Sequence, residues 1–455
     1  MPTRLVVVGG DAGGMAAAAQ ARRRRRDLEI VALEKGRWTS YSACGIPYLV
    51  GGDVDDLDDL VARSPQAFRD RLSIDVRTRQ EVVAVDLDTR RVEVRDHAHD
   101  RTYSLGFDLL HLAMGAVPVR PALPGIDAPE IHGVQNLEDA ARLLDTLGGG
   151  DVRHVVVVGG GYIGLEMAEA FARRGCPSVT VVERAPEVMA TLDPDMGALV
   201  SDAMRAAGVV VRLGVAVTGF SPGVVHTDDV DLPADVVVLG LGVAPNADLA
   251  RDAGLHTGDK GGIVVNQRQR TSADGVWAAG DCCLSYHLVA RRPVHVALGT
   301  VANKQGRVAG VNMGGGYATF AGVVGTAVTR ICSTEVARTG LNEAEARDLG
   351  LCYEAVRITS TTRAGYFPGS GTITVKMLAE RGSGRLLGAQ LVGDEGAAKR
   401  IDVAATAITA GMTVDEVSGL DLSYAPPFSP VWDPVLIAAR QAAKAVASSP
   451  VHDGT

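Results

Sequence analysis

Val155-Val156-Val157-Val158-Gly159-Gly160-Gly161-Tyr162-Ile163-Gly164 decides the fold. The run of β-branched residues reads as a buried parallel strand, and the glycines after it keep the G-x-G-x-x-G spacing. Leu165 to Phe171 then supplies a helix. In that order, strand, glycine turn, helix, a backbone comes close to a pyrophosphate and offers it free N–H groups at a helix N-terminus. The next strand, Val179 to Val182, ends at Glu183, about the twenty residues on at which a carboxylate meets a ribose hydroxyl pair. A charge there disfavours a 2′-phosphate, so NADH is expected over NADPH, with Arg184 weakening the preference.

The same order stands at the N-terminus. Leu5-Val6-Val7-Val8 runs into Gly9-Gly10-Asp11-Ala12-Gly13-Gly14 and the helix-forming Met15 to Gln20, and the following strand, Ile30 to Leu33, ends at Glu34. Asp11 replaces the central glycine of this turn. Two such units in one chain argue for two different dinucleotides. Shortly after the first unit comes Tyr41-Ser42-Ala43-Cys44-Gly45-Ile46-Pro47-Tyr48, which sets one cysteine among small residues and a Gly/Pro turn. An accessible thiol there suits redox chemistry beside a flavin; the alternative is a packing cysteine. The five arginines Arg22 to Arg26 read either as a solvated helix end that suits the dipole or as phosphate holders for a substrate.

Further along, residues 81–86 and 91–94 alternate as antiparallel hairpins, and Phe107 to Gly115 forms another buried strand. Pro118, Pro121 and Pro124 mark a crossover out of the first domain. Thr271 to Asp281 gives a strand ending in Gly280-Asp281, whose carboxylate suits a ribityl chain or else caps a helix. Cys282 and Cys283 read as packing. From about residue 326 the pattern becomes an α+β module with a turn-rich Tyr424-Ala425-Pro426-Pro427 segment, a helix from Pro434 to Val446 and a short polar tail.

With 455 residues, a net charge of −9 and 46% hydrophobic residues, the chain reads as a globular protein of about three domains with no call for nucleic acid. No apolar run reaches the ~18 residues of a membrane span, and no secretory signal pattern opens the chain, so a cytoplasmic location is expected. Its six cysteines show no C-x-x-C pair and no histidine at zinc spacing, so no metal site is expected.

Nearly the whole chain resembles the flavin-dependent pyridine nucleotide-disulfide oxidoreductases, and within them the single-cysteine branch of coenzyme A disulfide reductases, NADH oxidases and NADH peroxidases. No cysteine pair separated by four residues is present: Thr39 and Leu49 flank Cys44 at that distance. Cys44-Gly45-Ile46-Pro47-Tyr48, Ala302 to Arg307, Gly365 to Gly369 and Tyr424 to Pro427 are similar to the coenzyme A disulfide reductase pattern. Ala12 stands where peroxidases and oxidases carry a histidine. Ala43, in place of an asparagine, and Leu72, in place of a lysine, depart from relatives that bind coenzyme A.

The resemblance implies an α/β fold of two Rossmann-like domains and a C-terminal α+β dimerisation domain. FAD would take 1–115 and 246–325, NAD(P)H 116–245 and dimerisation 326–446, with 447–455 a flexible tail. It implies FAD at Gly9, Ala12, Gly14, Glu34, Lys35, Asp281 and Ala297, and NAD(P)H at Gly159, Gly161, Ile163, Gly164 and Glu183, with Glu166 facing the flavin. Cys44 would form a mixed disulfide with the substrate thiol, as a thiolate of lowered pKa. Tyr424 and Tyr366 would reach it from the other subunit of a homodimer, and Gln20, Arg23, Ser40 and Ser42 would contact the coenzyme A disulfide. Alternatives are an NADH oxidase of the same fold and a flavoprotein whose NADH-bound form mainly binds or signals.

Overall fold

The computed structural model describes residues 2–449. Five parallel strands form the first sheet in the order Val276–Ala278, Leu109–Leu112, Arg4–Val8, Glu29–Glu34, Ile74–Thr78. The strand contributed by Val276–Ala278 means that this domain is assembled from two distant stretches of chain. A second sheet repeats the arrangement with Val210–Leu213, Ser178–Glu183, His154–Val158, Val236–Leu239 and Ile131–His132, again all parallel. In the central strands the apolar runs from Leu5 to Val8 and from Val155 to Val158 are buried, as helix-covered parallel sheets require. An antiparallel ribbon of Ala116–Pro118 with Val243–Pro245 carries the chain out to the second sheet and back. The hairpins expected at 81–94 form a three-stranded antiparallel sheet with Arg101–Gly106.

The two glycine turns are built alike. In the first, Gly9 at φ +104 donates its N–H to Leu33 O, and a Cβ on Gly14 would lie 1.9 Å from Gly9 O. In the second, Gly159 at φ +106 donates to Val182 O, and a Cβ on Gly164 would again lie 1.9 Å from Gly159 O. Each turn is also braced by a non-glycine residue in the left-handed region: Ser40 donates its N–H to Gly10 O and Met189 to Gly160 O, both at φ +53. Only glycine fits where helix and strand approach this closely, so the spacing seen in the sequence is a steric requirement.

The C-terminal module is a five-stranded antiparallel sheet in the order Ala327–Ile331, Thr334–Gly340, Leu386–Gly393, Thr372–Glu380, Tyr353–Thr361. Helices Ile401–Ala410 and Pro434–Ser448 pack on it. The closing helix runs two residues past Val446, and residues 450–455 of the expected tail lie outside those described.

This module is locked to the second nucleotide domain by a buried lysine. Lys376 Nζ lies 3.1 Å from Asp193, 2.7 Å from Asp195 and 2.6 Å from Glu343. Gln390 exchanges two hydrogen bonds with Asp193, and Arg338 and Asn342 donate to Thr191 O. One hydrophobic cluster crosses the same seam. It joins Ile46, Leu49 and Val50, just after Cys44, to Leu165, Met167 and Phe171 and on to Ile331, Val336 and Val392.

Candidate active site

Both glycine turns open into one cleft of about 2770 Å³. Gly9, Ala12, Glu34, Lys35, Asp281 and Ala297 line it on one side, and Gly159, Gly161, Ile163, Glu166 and Glu183 on the other. Ser40, Ser42 and Cys44 lie along it as well. Gly14 and Gly164 sit buried behind the turns, where they let the backbones close up. Among the described residues Cys44 is the one cysteine lining this cleft.

Cys44 belongs to a single helical turn, Ala43–Gly45, directly before the helix Ile46–Gly51. A Cβ on Gly45 would lie 2.3 Å from Leu60 Cδ2, so the Leu60 side chain would have to move to admit one. The helix packs against Tyr162–Arg173, so the thiol is anchored to the element that follows the second glycine turn. Cys44 opens to the cleft, and its thiol is pushed up from the ordinary range by burial and then by the Glu166 and Asp281 carboxylates. The groups that the chain itself sets around the sulfur are acidic and oppose the thiolate, so the expected lowered thiol rests on the flavin edge and the helix N-terminus.

The two strand-end carboxylates hold the turns rather than standing free. Glu34 accepts N–H from Gly10 and Gly36, each at 2.7 Å, and Glu183 accepts N–H from Gly160 and Ala185, each at 2.7 Å. Each oxygen keeps a second lone pair, and both residues line the cleft. Asp281 Oδ1 is buried with no hydrogen-bond partner, and burial pushes its carboxyl up. Such an orphaned acceptor on a cleft wall requires a donor from something that enters the cleft, as a ribityl hydroxyl would be. Together with the paired helix N-termini, this fits a flavin dinucleotide on one side and a nicotinamide dinucleotide on the other.

Sequence reading treated Asp11 as a missing glycine and assigned it no role. In the structure its Oδ1 accepts the Tyr41 N–H at 3.2 Å, linking the first turn to the cysteine segment. Its carboxyl is pushed up to about 6, chiefly by burial and with Glu34 and Asp281 facing it. Thr329 was missed too: its hydroxyl donates to Glu166 Oε1 at 2.5 Å across the domain seam. Nothing local in the sequence pairs residues so far apart.

Other assigned residues lie elsewhere. Gln20 and Arg23 are absent from the cleft lining among the described residues; Arg23 reaches Gln20 at 3.5 Å on the outer helix turns. The arginine run divides between roles. Arg22 ties down Leu72 O and Ser73 O, Arg25 pairs with Asp27 and Thr3, and Arg23, Arg24 and Arg26 are exposed. Tyr366 and Tyr424 are exposed on the C-terminal module and do not line the cleft of their own chain. Their loops are joined by Ala364 N–H donating to Pro426 O. Cys282 and Cys283 are fully buried, in keeping with packing.

Residues 3–306 match the family model for pyridine nucleotide-disulphide oxidoreductase, and residues 326–434 match the model for the dimerisation domain of the same family. The chain is similar to the NAD(P)H coenzyme A polysulfide/persulfide reductase of Pyrococcus horikoshii, 36% identical over 97% of this chain and 98% of that protein. It is also similar to the NADH oxidase of Methanocaldococcus jannaschii, 33% identical over 97% of this chain and 99% of that protein. Among solved structures, the NAD-dependent persulfide reductase from A. fulgidus superposes with a TM-score of 0.94 at 38% identity, over 97% of this chain and 83% of that one.

Proposed function

The chain belongs to the pyridine nucleotide-disulphide oxidoreductase family, and from that premise we propose that it reduces a disulfide or persulfide, coenzyme A disulfide foremost, through Cys44 alone. It is an oxidoreductase that uses FAD and NAD(P)H. We assign FAD to 1–115 with 246–325, NAD(P)H to 116–245 and dimerisation to 326–446. The observation that supports the reading is the single cleft that holds both glycine turns and one cysteine. A second sulfur must then come from the substrate.

The Cys44 thiolate attacks one sulfur of the substrate disulfide, forms a mixed disulfide and releases the other half as a thiolate that takes up a proton. FAD, when bound, would supply the two electrons that NAD(P)H delivers as hydride; with them and a proton the mixed disulfide is cleaved to the Cys44 thiolate and a second substrate thiol. In sum, one disulfide, one NAD(P)H and one proton give two thiols and NAD(P)+. Gly9, Ala12, Gly14, Glu34, Lys35, Asp281 and Ala297 hold the flavin dinucleotide, and Gly159, Gly161, Ile163, Gly164 and Glu183 the nicotinamide one. Ser40 and Ser42 flank the disulfide, with Gln20 and Arg23 reserved for a remote phosphate of a long substrate. Tyr424 and Tyr366 of a second copy protonate the leaving thiolate, which is why they are exposed in one chain.

The similarity to an NADH oxidase favours one other reading, oxygen as the acceptor. Cys44→Ser separates them. It should keep both dinucleotides and lose disulfide turnover; undiminished disulfide turnover would reject the role of Cys44.

A further inference from the structure

Gly280-Asp281 carries the orphaned carboxylate on the flavin side of the cleft, and two side chains outside the cleft lining hold its backbone from behind. Gln305, on the helix Gly299–Met313 and 1% exposed, accepts the Gly280 N–H at 2.8 Å through Oε1 and donates from Nε2 to Ser285 Oγ at 2.9 Å. His295 closes the strand Arg292–His295, and its Nε2 lies 2.9 Å from Asp281 O. A carbonyl only accepts, so that nitrogen is the one carrying the proton. We propose that Gln305 and His295 are positioning residues for the flavin: they clamp Gly280 and Asp281 so that the Asp281 carboxylate meets the ribityl chain of FAD. The inference rests on the assignment of Asp281 to FAD.

The path of the chain shows why a clamp is needed. The ladder beside Leu109–Leu112 ends with Ala279, whose N–H donates to Leu112 O at 3.0 Å. The chain then turns at Gly280, at φ +83, where Gln305 supplies the acceptor that a strand no longer offers. Asp281 Oδ1 has no partner, so the backbone sets where it points. Ser285 and His295 sit on one hairpin, with Ser285 opposite Val294 and His295 opposite Leu284, so both clamps draw on the same support. The helix that carries Gln305 also meets the first glycine turn: a Cβ on Gly306 would lie 2.3 Å from Gly13 O, and one on Gly310 2.4 Å from Ala17 O. Residues 305 and 306 thus tie one helix to the acid loop and to the glycine turn, and fix the distance between them. Removing the Gln305 amide strands a buried Gly280 N–H and frees the loop.

The test is the affinity of flavin-stripped protein for FAD, followed by flavin fluorescence, beside its affinity for ADP as a competitor of FAD. ADP reaches the first glycine turn and has no ribityl chain. Gln305→Met should weaken FAD binding roughly tenfold and leave ADP unchanged. His295→Leu should weaken FAD about fivefold, and His295→Gln, which keeps a donor for Asp281 O, should recover it. Asp281→Ala should weaken FAD, and adding Gln305→Met to it should cost little more. His295 is half-buried, so its two variants decide the matter even if Gln305→Met fails to fold. Unchanged FAD affinity in Gln305→Met or His295→Leu while Asp281→Ala is weakened, an equal loss for ADP, or fully additive losses would overturn the proposal. No loss in Asp281→Ala would instead reject the flavin assignment, and the proposal with it.

Discussion

Asp11→Asn isolates the one carboxylate that replaces a glycine in the first turn. In the folded chain the Asp11 carboxyl rises from 3.8 to about 6, chiefly through burial, with Glu34 and Asp281 adding to it. A carboxyl raised on folding binds its proton more tightly in the native state, so stability is lost as pH rises from the unfolded value through about 6. At about 1.4 kcal/mol per pH unit, the full cost above pH 7 is on the order of 3 kcal/mol. Asparagine keeps an oxygen for the Tyr41 N–H and removes the charge. The variant should therefore gain about 3 kcal/mol at pH 8, or on the order of 6–10 °C in the melting temperature of its domain, and about 1 kcal/mol at pH 4.5. Thermal unfolding of flavin-stripped protein at both pH values measures this. An equal gain at both, or none at pH 8, would refute the linkage.

Two further perturbations follow from the same geometry. Lys376→Met leaves Asp193, Asp195 and Glu343 without their shared buried cation, Arg357 remaining 3.6 Å from Asp195, and should lower stability by about 3 kcal/mol in urea unfolding; a loss below about 1 kcal/mol would show the ring to be screened by water and Arg357. Glu183→Gln keeps an acceptor for the Gly160 N–H while removing the charge, so the ratio of kcat/KM for NADH over NADPH should fall by roughly tenfold, and an unchanged ratio would reject its ribose role.

The nucleotide units were legible because sterics at Gly14 and Gly164 allow one residue type, and that constraint is local in sequence. Cys44 was legible because a short turn with glycine and proline, close after the first unit, presents it. Its ionisation was not. The carboxylates that oppose the thiolate come from three distant segments, at Asp11, Glu166 and Asp281, and meet only when the two nucleotide domains fold together. The Lys376 ring likewise draws on residues far apart in the chain, and no periodicity announces it. Glu34 and Glu183 show the limit of motif spacing in another way. Spacing placed them at the strand ends, but the structure shows that each also pins the N–H of the residue after the first glycine of its own turn.

The central claim is that one cysteine carries electrons from the flavin to a disulfide, and an anaerobic titration tests it most directly. Holoenzyme reduced with NADH, without oxygen, is mixed with coenzyme A disulfide while the flavin spectrum and the intact mass are followed. The account predicts flavin reoxidation by the disulfide and, on stopping the reaction, an adduct of coenzyme A mass on Cys44 that further NADH releases. Reduced flavin that ignores the disulfide and is reoxidised by oxygen alone, with Cys44 unmodified, would contradict it and favour the oxidase.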